Sequence, residues 1–189
     1  MKKKLSLGRL KLESDSKKLM DIVLNAASSQ NVVVFRLGKT SWAFSIDFLI
    51  QTIRAQKYTF FNDSSDISFV RGYIILHREA IPVISVHKIL DIEPIKDIDN
   101  RTAILLCKIG DTKFGLLTEE VMEIIPADNK TYRQIPNNFL NKYKNIISGA
   151  YSWRENIVLK LELQNILNNT DLKILQEEGE KILAEQEGK

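Results

Sequence analysis

Cysteine occurs once in this 189-residue chain, at position 107, so no disulfide can form within it. The only two histidines are His77 and His87. A metal site needs about three or four ligands, and no Cys/His/Asp cluster supplies the rest, so no metal is expected. Glycine (8) and proline (4) are sparse. The glycines are dispersed, and neither GxGxxG nor GxxxxGK[ST] occurs, which excludes a phosphate-cradling loop. No motif joins Ser or Cys to a histidine and a third orienting group, as nucleophilic catalysis requires; no catalytic residue and no cofactor are expected. No run reaches the ~18 consecutive apolar residues of a membrane span. Gly8, Arg9, Lys11 and Glu13 break up the stretch where a signal peptide would be apolar. The net charge is only +3, and its basic excess sits in Lys2, Lys3, Lys4, Arg9, Lys11, Lys17 and Lys18. The remainder is near neutral and lacks the basic stripe of a nucleic-acid binder. A cytoplasmic setting is the default expectation.

What the chain does contain is a repeat. Val32–Phe44 aligns without a gap on Ile104–Leu116, at an offset of 72 residues. A second block repeats at offset 77: Gly72 falls on Gly149, Ile84 on Leu161, Val86 on Leu163, and Ile89-Leu90 on Ile166-Leu167. Hydrophobic, turn and polar positions stay in phase, which points to one module written twice. A copy of about 60 residues buries only about 60% of its unfolded surface, so the copies are expected to share a core.

Residues 1–13 read as a basic tail. Residues 14–29 read as a helix, with a cap at Ser14, Asp15 or Ser16 and Leu19, Ile22, Val23 and Ala26 on one side. Its apolar side is expected to dock on the first lobe; lysines and leucines together can also bind anionic lipid. Val32–Leu37 and Trp42–Phe44 form a predicted hairpin, repeated at Ile104–Ile109 and Phe114–Leu116. Alternation puts Val33, Phe35 and Leu37 on one face, and Leu105, Cys107 and Ile109 on the matching one. Cys107 therefore reads as a buried thiol. Ile46–Ile53 and Thr118–Ile125 follow, each with an acid near its start (Asp47, Glu119) that suits a helix N-terminus. Two more strands per copy lie around Phe69–His77 and Ala80–Val86, and Ile147–Trp153 and Ile157–Leu163, with turns expected at Arg78-Glu79 and Glu155-Asn156. Asp91–Arg101 links the lobes. Asp171–Glu185 reads as a terminal helix interrupted by Gly179. The fold class predicted is mainly β: two packed five-stranded barrels, plus N- and C-terminal helices.

The layout resembles the CheW family of chemotaxis coupling proteins. The resemblance runs through Phe35-Arg36-Leu37-Gly38, Trp42-Ala43-Phe44-Ser45-Ile46-Asp47, Val70-Arg71-Gly72 and Ile81-Pro82-Val83-Ile84. In the second copy it covers Ile146-Ile147-Ser148-Gly149 and Ile157 to Leu167. It spans about residues 31–170, with lobe one at 31–90, lobe two at 103–167 and a terminal helix at 171–189. It implies two SH3-like barrels with pseudo-twofold symmetry and no catalysis. The implied partners are the regulatory domain of a chemotaxis histidine kinase and the cytoplasmic tip of chemoreceptors, with membrane association only through the receptors. The family's usual Asn-Leu-Arg-Gly hairpin is Ile75-Leu76-His77-Arg78 here, so the arginine linked to receptor coupling falls on His77. Its Asp-Leu-Arg becomes Ser85-Val86-His87.

The receptor-groove residues implied are Leu49, Ile50, Val70, Gly72 and His77. Ile75, Arg78 and Val83 are the kinase-surface candidates. The copies differ here: Val83 stands where copy two has Lys160, and Ile75 where it has Ser152. Lobe one is thus expected to carry an apolar outer face, which either meets a partner or packs against the helix Asp15–Ala27. A divergent interaction module outside chemotaxis is the alternative.

Overall fold

The protein is represented by a computed structural model that describes residues 31–62, 67–128 and 130–187. The predicted tail and the helix over 14–29 lie outside the described residues. Eleven strands are described: β1 Asn31–Leu37, β2 Thr40–Ser45, β3 Leu49–Arg54, β4 Val70–Leu76, β5 Glu79–Ile84, β6 Ala103–Ile109, β7 Thr112–Thr118, β8 Glu120–Pro126, β9 Tyr132–Gln134, β10 Ile147–Trp153 and β11 Asn156–Leu161. Helix α1 is Val86–Ile89, α2 Asn137–Leu140 and α3 Asn169–Glu187. The repeat is carried element by element. The bounds of β4 and β5 shifted by 77 are those of β10 and β11, and β1 shifted by 72 is β6.

The copies do not each make their own sheet. One sheet has the order β8-β1-β2-β11-β10-β9 and the other β3-β6-β7-β5-β4. The first hairpin of each copy is built into a sheet with the last hairpin of the other copy. The exchange is reciprocal down to register: Asn31 pairs with Pro126 and Val32 with Ile125, while Ala103 pairs with Arg54 and Ile104 with Ile53. Each sheet also has one parallel contact, β2 with β11 and β7 with β5. Neither sheet returns to its first strand, so the two closed five-stranded barrels expected from sequence are not formed. One open sheet has six strands and the other five.

The segments after the first hairpins were expected to start as helices. Copy one gives a single 3-10 turn, Ile46–Phe48, and then strand β3; copy two goes straight into β8. Asp47 serves the turn, its backbone N–H donating to Ser45 Oγ at 3.4 Å. Both strands carry a bulge at the same place. The partners of β3 skip Ile50, and those of β8 skip Met122. An unpaired bulge residue is thrown outward, and both are exposed, Ile50 at 48% and Met122 at 43%.

The two later hairpins turn one residue earlier than expected. Leu76 pairs with Glu79 and Trp153 with Asn156, leaving His77-Arg78 and Arg154-Glu155 as two-residue turns. All four turn residues have positive φ, between 45° and 64°. This is the backbone of a tight hairpin turn that matches strand twist, held here without glycine.

One core joins the sheets. Phe35, Leu37, Phe44, Leu105, Cys107, Phe114, Ile84 and Leu161 all belong to it, so the shared burial expected of two small copies is met. Cys107 sits inside as expected, and burial pushes its thiol pKa up. Each sheet also has an outer cluster. Val83, Ile74, Ile81, Ile104 and Leu106 form that of the five-stranded sheet; Val32, Val34, Ala43, Ile125, Tyr151 and Val158 form that of the six-stranded one. Burial on both faces explains the unbroken apolar run of β1.

Helix α3 is longer than the predicted 171–185, and Gly179 does not interrupt it. A Cβ there would lie 3.2 Å from the Ala80 carbonyl oxygen, so the missing side chain lets the helix lie close on β5. Tyr73 reaches across, donating its hydroxyl to the Leu175 carbonyl at 3.0 Å.

Candidate protein-interaction surface

The eight residues singled out from sequence do not form one patch. Leu49 and Ile50 lie on β3 and Val70 and Gly72 on β4, the opposite edges of the five-stranded sheet with three strands between. Val70 is 7% exposed, and Gly72 is buried with φ of 141°. A Cβ at Gly72 would lie 2.6 Å from the Phe61 carbonyl oxygen, so this residue admits a neighbouring backbone. Val83 is fully buried in the outer cluster, against which the linker residues Ile95 and Ile98 pack together with Tyr58 and Phe60. The apolar outer face expected on lobe one is thus real but already occupied by this chain. Ile75 does not share it. Gly72 pairs with Val83 and Ile75 with Ala80, three positions along β4, so Ile75 and Val83 point to opposite faces.

What remains outside is compact. His77 and Arg78 form the exposed tip of the β4–β5 hairpin, with half-buried Ile75 just behind. Beside Arg78 opens a cleft of about 330 Å³ between this tip, the β6–β7 tip and α3, lined in part by Glu79, Lys113, Gln176 and Glu180. Lys113 Nζ meets Glu79 Oε2 at 2.5 Å across its mouth, tying the two hairpin tips. A second exposed set follows the bulged edges: Ile50 on β3, and Met122 with Ile124 (55% exposed) on β8. Sequence reasoning found Ile50 but not Met122 or Ile124. The signal was available, because Met122 is the offset-72 equivalent of Ile50.

The departures from the family pattern resolve differently. Ser85 is 3% exposed and His87 fully buried, so neither alters the surface. His87 Nε2 lies 2.8 Å from Glu119 Oε1, which also accepts the Gly38 N–H at 2.9 Å. Burial works against the charged form of Glu119, but the His87 and Gly38 hydrogen bonds outweigh it and hold the carboxyl below its usual pKa. Of the three positions that lose a family charge, only His77 is exposed. Among the described residues no group of three or more His, Cys, Asp and Glu could hold a metal ion, and no helix is long and apolar enough to cross a membrane.

Duplicated mixed sheets and a shared core define the fold, and exposed groups stand at the His77-Arg78 hairpin tip and along two bulged edges. The family model of the CheW-like domain matches residues 31–171, and the chain belongs to that family. Among solved structures it is similar to the scaffolding protein TtCheW from Thermoanaerobacter tengcongensis. That match has a TM-score of 0.66 and 20% identity, covering 78% of this chain and 94% of that one. No curated protein matches the sequence.

Proposed function

We propose that this protein is a non-enzymatic, cytoplasmic adaptor that couples chemoreceptors to a chemotaxis histidine kinase. What supports the reading is the span of the family match, which takes in both copies of the module together rather than one hairpin or one sheet. The kinase's regulatory domain and the receptor's cytoplasmic tip are the partners this implies. An adaptor of this kind transmits a receptor state by contacting one kinase conformation better than another.

Within that reading, Arg78 and Ile75 face the kinase at the hairpin tip, and His77, Leu49 and Ile50 are offered to the receptor. Val70, Gly72 and Val83 act from behind, by fixing the backbone of β4 and β5. His77→Glu combined with Arg78→Glu is expected to weaken binding to a purified kinase regulatory domain about tenfold, roughly 1.4 kcal/mol. Both side chains are exposed, so the melting temperature should stay within about 2 °C of the parent, as for surface substitutions generally. Titration calorimetry beside a thermal melt checks both. Unchanged affinity would remove the tip from the interface, and absence of binding by the parent chain would favour an interaction module outside chemotaxis.

A further inference from the structure

The 77-residue offset lets one face of the β4–β5 hairpin be compared with the same face of β10–β11. Tyr73 pairs with Pro82 and Ile75 with Ala80, so these four share a face. Their equivalents do too, Ala150 pairing with Leu159 and Ser152 with Ile157. Every member of the second set is more open than its counterpart. Tyr73 and Pro82 are buried, whereas Ala150 and Leu159 are half-buried. Ile75 and Ala80 are half-buried, whereas Ser152 and Ile157 are exposed, Ile157 at 70%. On the opposite face the copies agree: Ile74 and Ile81 are buried, and so are Tyr151 and Val158. A single exposed isoleucine is ordinary, but four positions opening together on one face are not. In the first copy that face is where α3 lies. A Cβ at Gly179 would come within 3.5 Å of the Tyr73 ring and 3.6 Å of the Ala80 Cβ.

The segment that holds the place of α3 after the first copy starts at Ile92. It is drawn into β6, with Ile95 and Ile98 packed on the cluster of the five-stranded sheet. No helix among the described residues is packed on β10 or β11 as α3 is on β5. The rim of the open face has its own charge. Lys39 stands where the cleft beside α3 has Asp111. It is exposed and has no ionic partner among the described residues. Helix α3 itself carries Glu177, Glu180 and Glu185 at exposed positions against Lys173 and Lys181. We infer that the open face of β10–β11 docks an amphipathic, acidic helix of a partner protein, laid on it as α3 lies on β4–β5. Ile157 replaces the smaller Ala80, so the helix needs a small residue above it, as α3 has Gly179. Its acidic flank meets Lys39. This surface shares no residue with the His77-Arg78 tip or the bulged edges and does not depend on the receptor and kinase assignments.

The test titrates a synthetic peptide of the α3 sequence, residues 169–187, into the full chain and follows the methyl NMR signals of its Ile, Leu and Val side chains. Ile157 and Leu159 are expected to shift and to saturate below about 1 mM peptide, while Ile74, Ile81 and Val83 stay in place. Ile157→Asp should weaken binding at least about tenfold and Lys39→Glu about threefold. Both side chains are exposed, so neither change should move the melting temperature by more than about 2 °C. If Ile157→Asp does not fold, Ser152→Glu on the same face carries the readout. Unmoved Ile157 and Leu159 signals would overturn the inference, as would equal shifts from a scrambled peptide or binding indifferent to these substitutions. Shifts confined to Ile75 would mean exchange with the chain's own α3. Shifts that grow with protein concentration in the absence of peptide would assign the face to a second copy; either would also overturn it.

Discussion

Gly72→Ala is expected to cost about 4 kcal/mol, a large share of total stabilities of about 5–15 kcal/mol. Two costs add. The φ of 141° is one an L residue rarely adopts, at about 1–3 kcal/mol. The new Cβ would also press on the Phe61 carbonyl oxygen, 2.6 Å away. That oxygen cannot yield freely, because it accepts the Tyr73 N–H at 2.9 Å while the Phe61 N–H donates to the Tyr73 carbonyl at 2.7 Å. Moving it breaks the bridge that fastens residue 61 to β4. The repeat supplies the control. At the equivalent Gly149 the φ is not positive, and a Cβ would meet the Tyr132 side chain rather than backbone, at 2.4–2.5 Å, so without the strain of the φ Gly149→Ala should cost less than Gly72→Ala. Urea denaturation of the two variants gives the comparison, and equal midpoints would refute the account. Loss of receptor binding in Gly72→Ala would then report the fold, not a contact.

Local signals in this chain were legible where they depend on neighbours in sequence. Alternation placed Phe35 and Cys107 correctly in the shared core, and the terminal helix was found within two residues at each end. Strand partnership was not legible, because alternation states which side faces inward and not which strand lies alongside. Hence the exchange of hairpins between the copies was missed, and with it the open sheets. The surface reading failed for the same reason. Val83 is apolar on the face opposite Ile84, which from sequence reads as an exposed patch. The side chains packed on its cluster include Ile95 and Ile98, from a linker that has no strand or helix pattern to announce it. The hairpin tip was placed one residue late because His77-Arg78 has none of the Gly, Asn or Asp that usually marks φ above zero. The resemblance to the family supplied what periodicity could not, an expectation of which edges carry function, but it could not tell that Gly72 and Val70 support the surface from inside.

The pair of buried His87 and half-buried Glu119 is where a single substitution should be felt across both sheets. His87 follows β5 of the five-stranded sheet, Glu119 sits where the chain crosses from β7 to β8, and Gly38 belongs to the β1–β2 turn of the six-stranded sheet. The equivalent residues in the repeat make no such tie: Asp47 bonds Ser45 and Gln164 bonds Glu162. With its pKa lowered, Glu119 is ionised at pH 7, a pure acceptor, so His87 donates to it from Nε2. His87→Leu would leave that carboxylate without its strongest partner, at an expected cost of about 3 kcal/mol at pH 7. Adding Glu119→Leu removes the stranded charge, so the double variant should be more stable than His87→Leu alone. The pH dependence has a fixed sign. The folded pKa of Glu119 is lowered, so its contribution is full above the unfolded carboxyl value, about 4.3, and is lost as pH falls through the folded value. The gap between the parent and Glu119→Gln, read by urea melts, should therefore be constant from pH 8 to about 5 and close below about 4. A gap that persists unchanged to pH 3, or a double variant weaker than His87→Leu, would show that the carboxylate does not tie the sheets together.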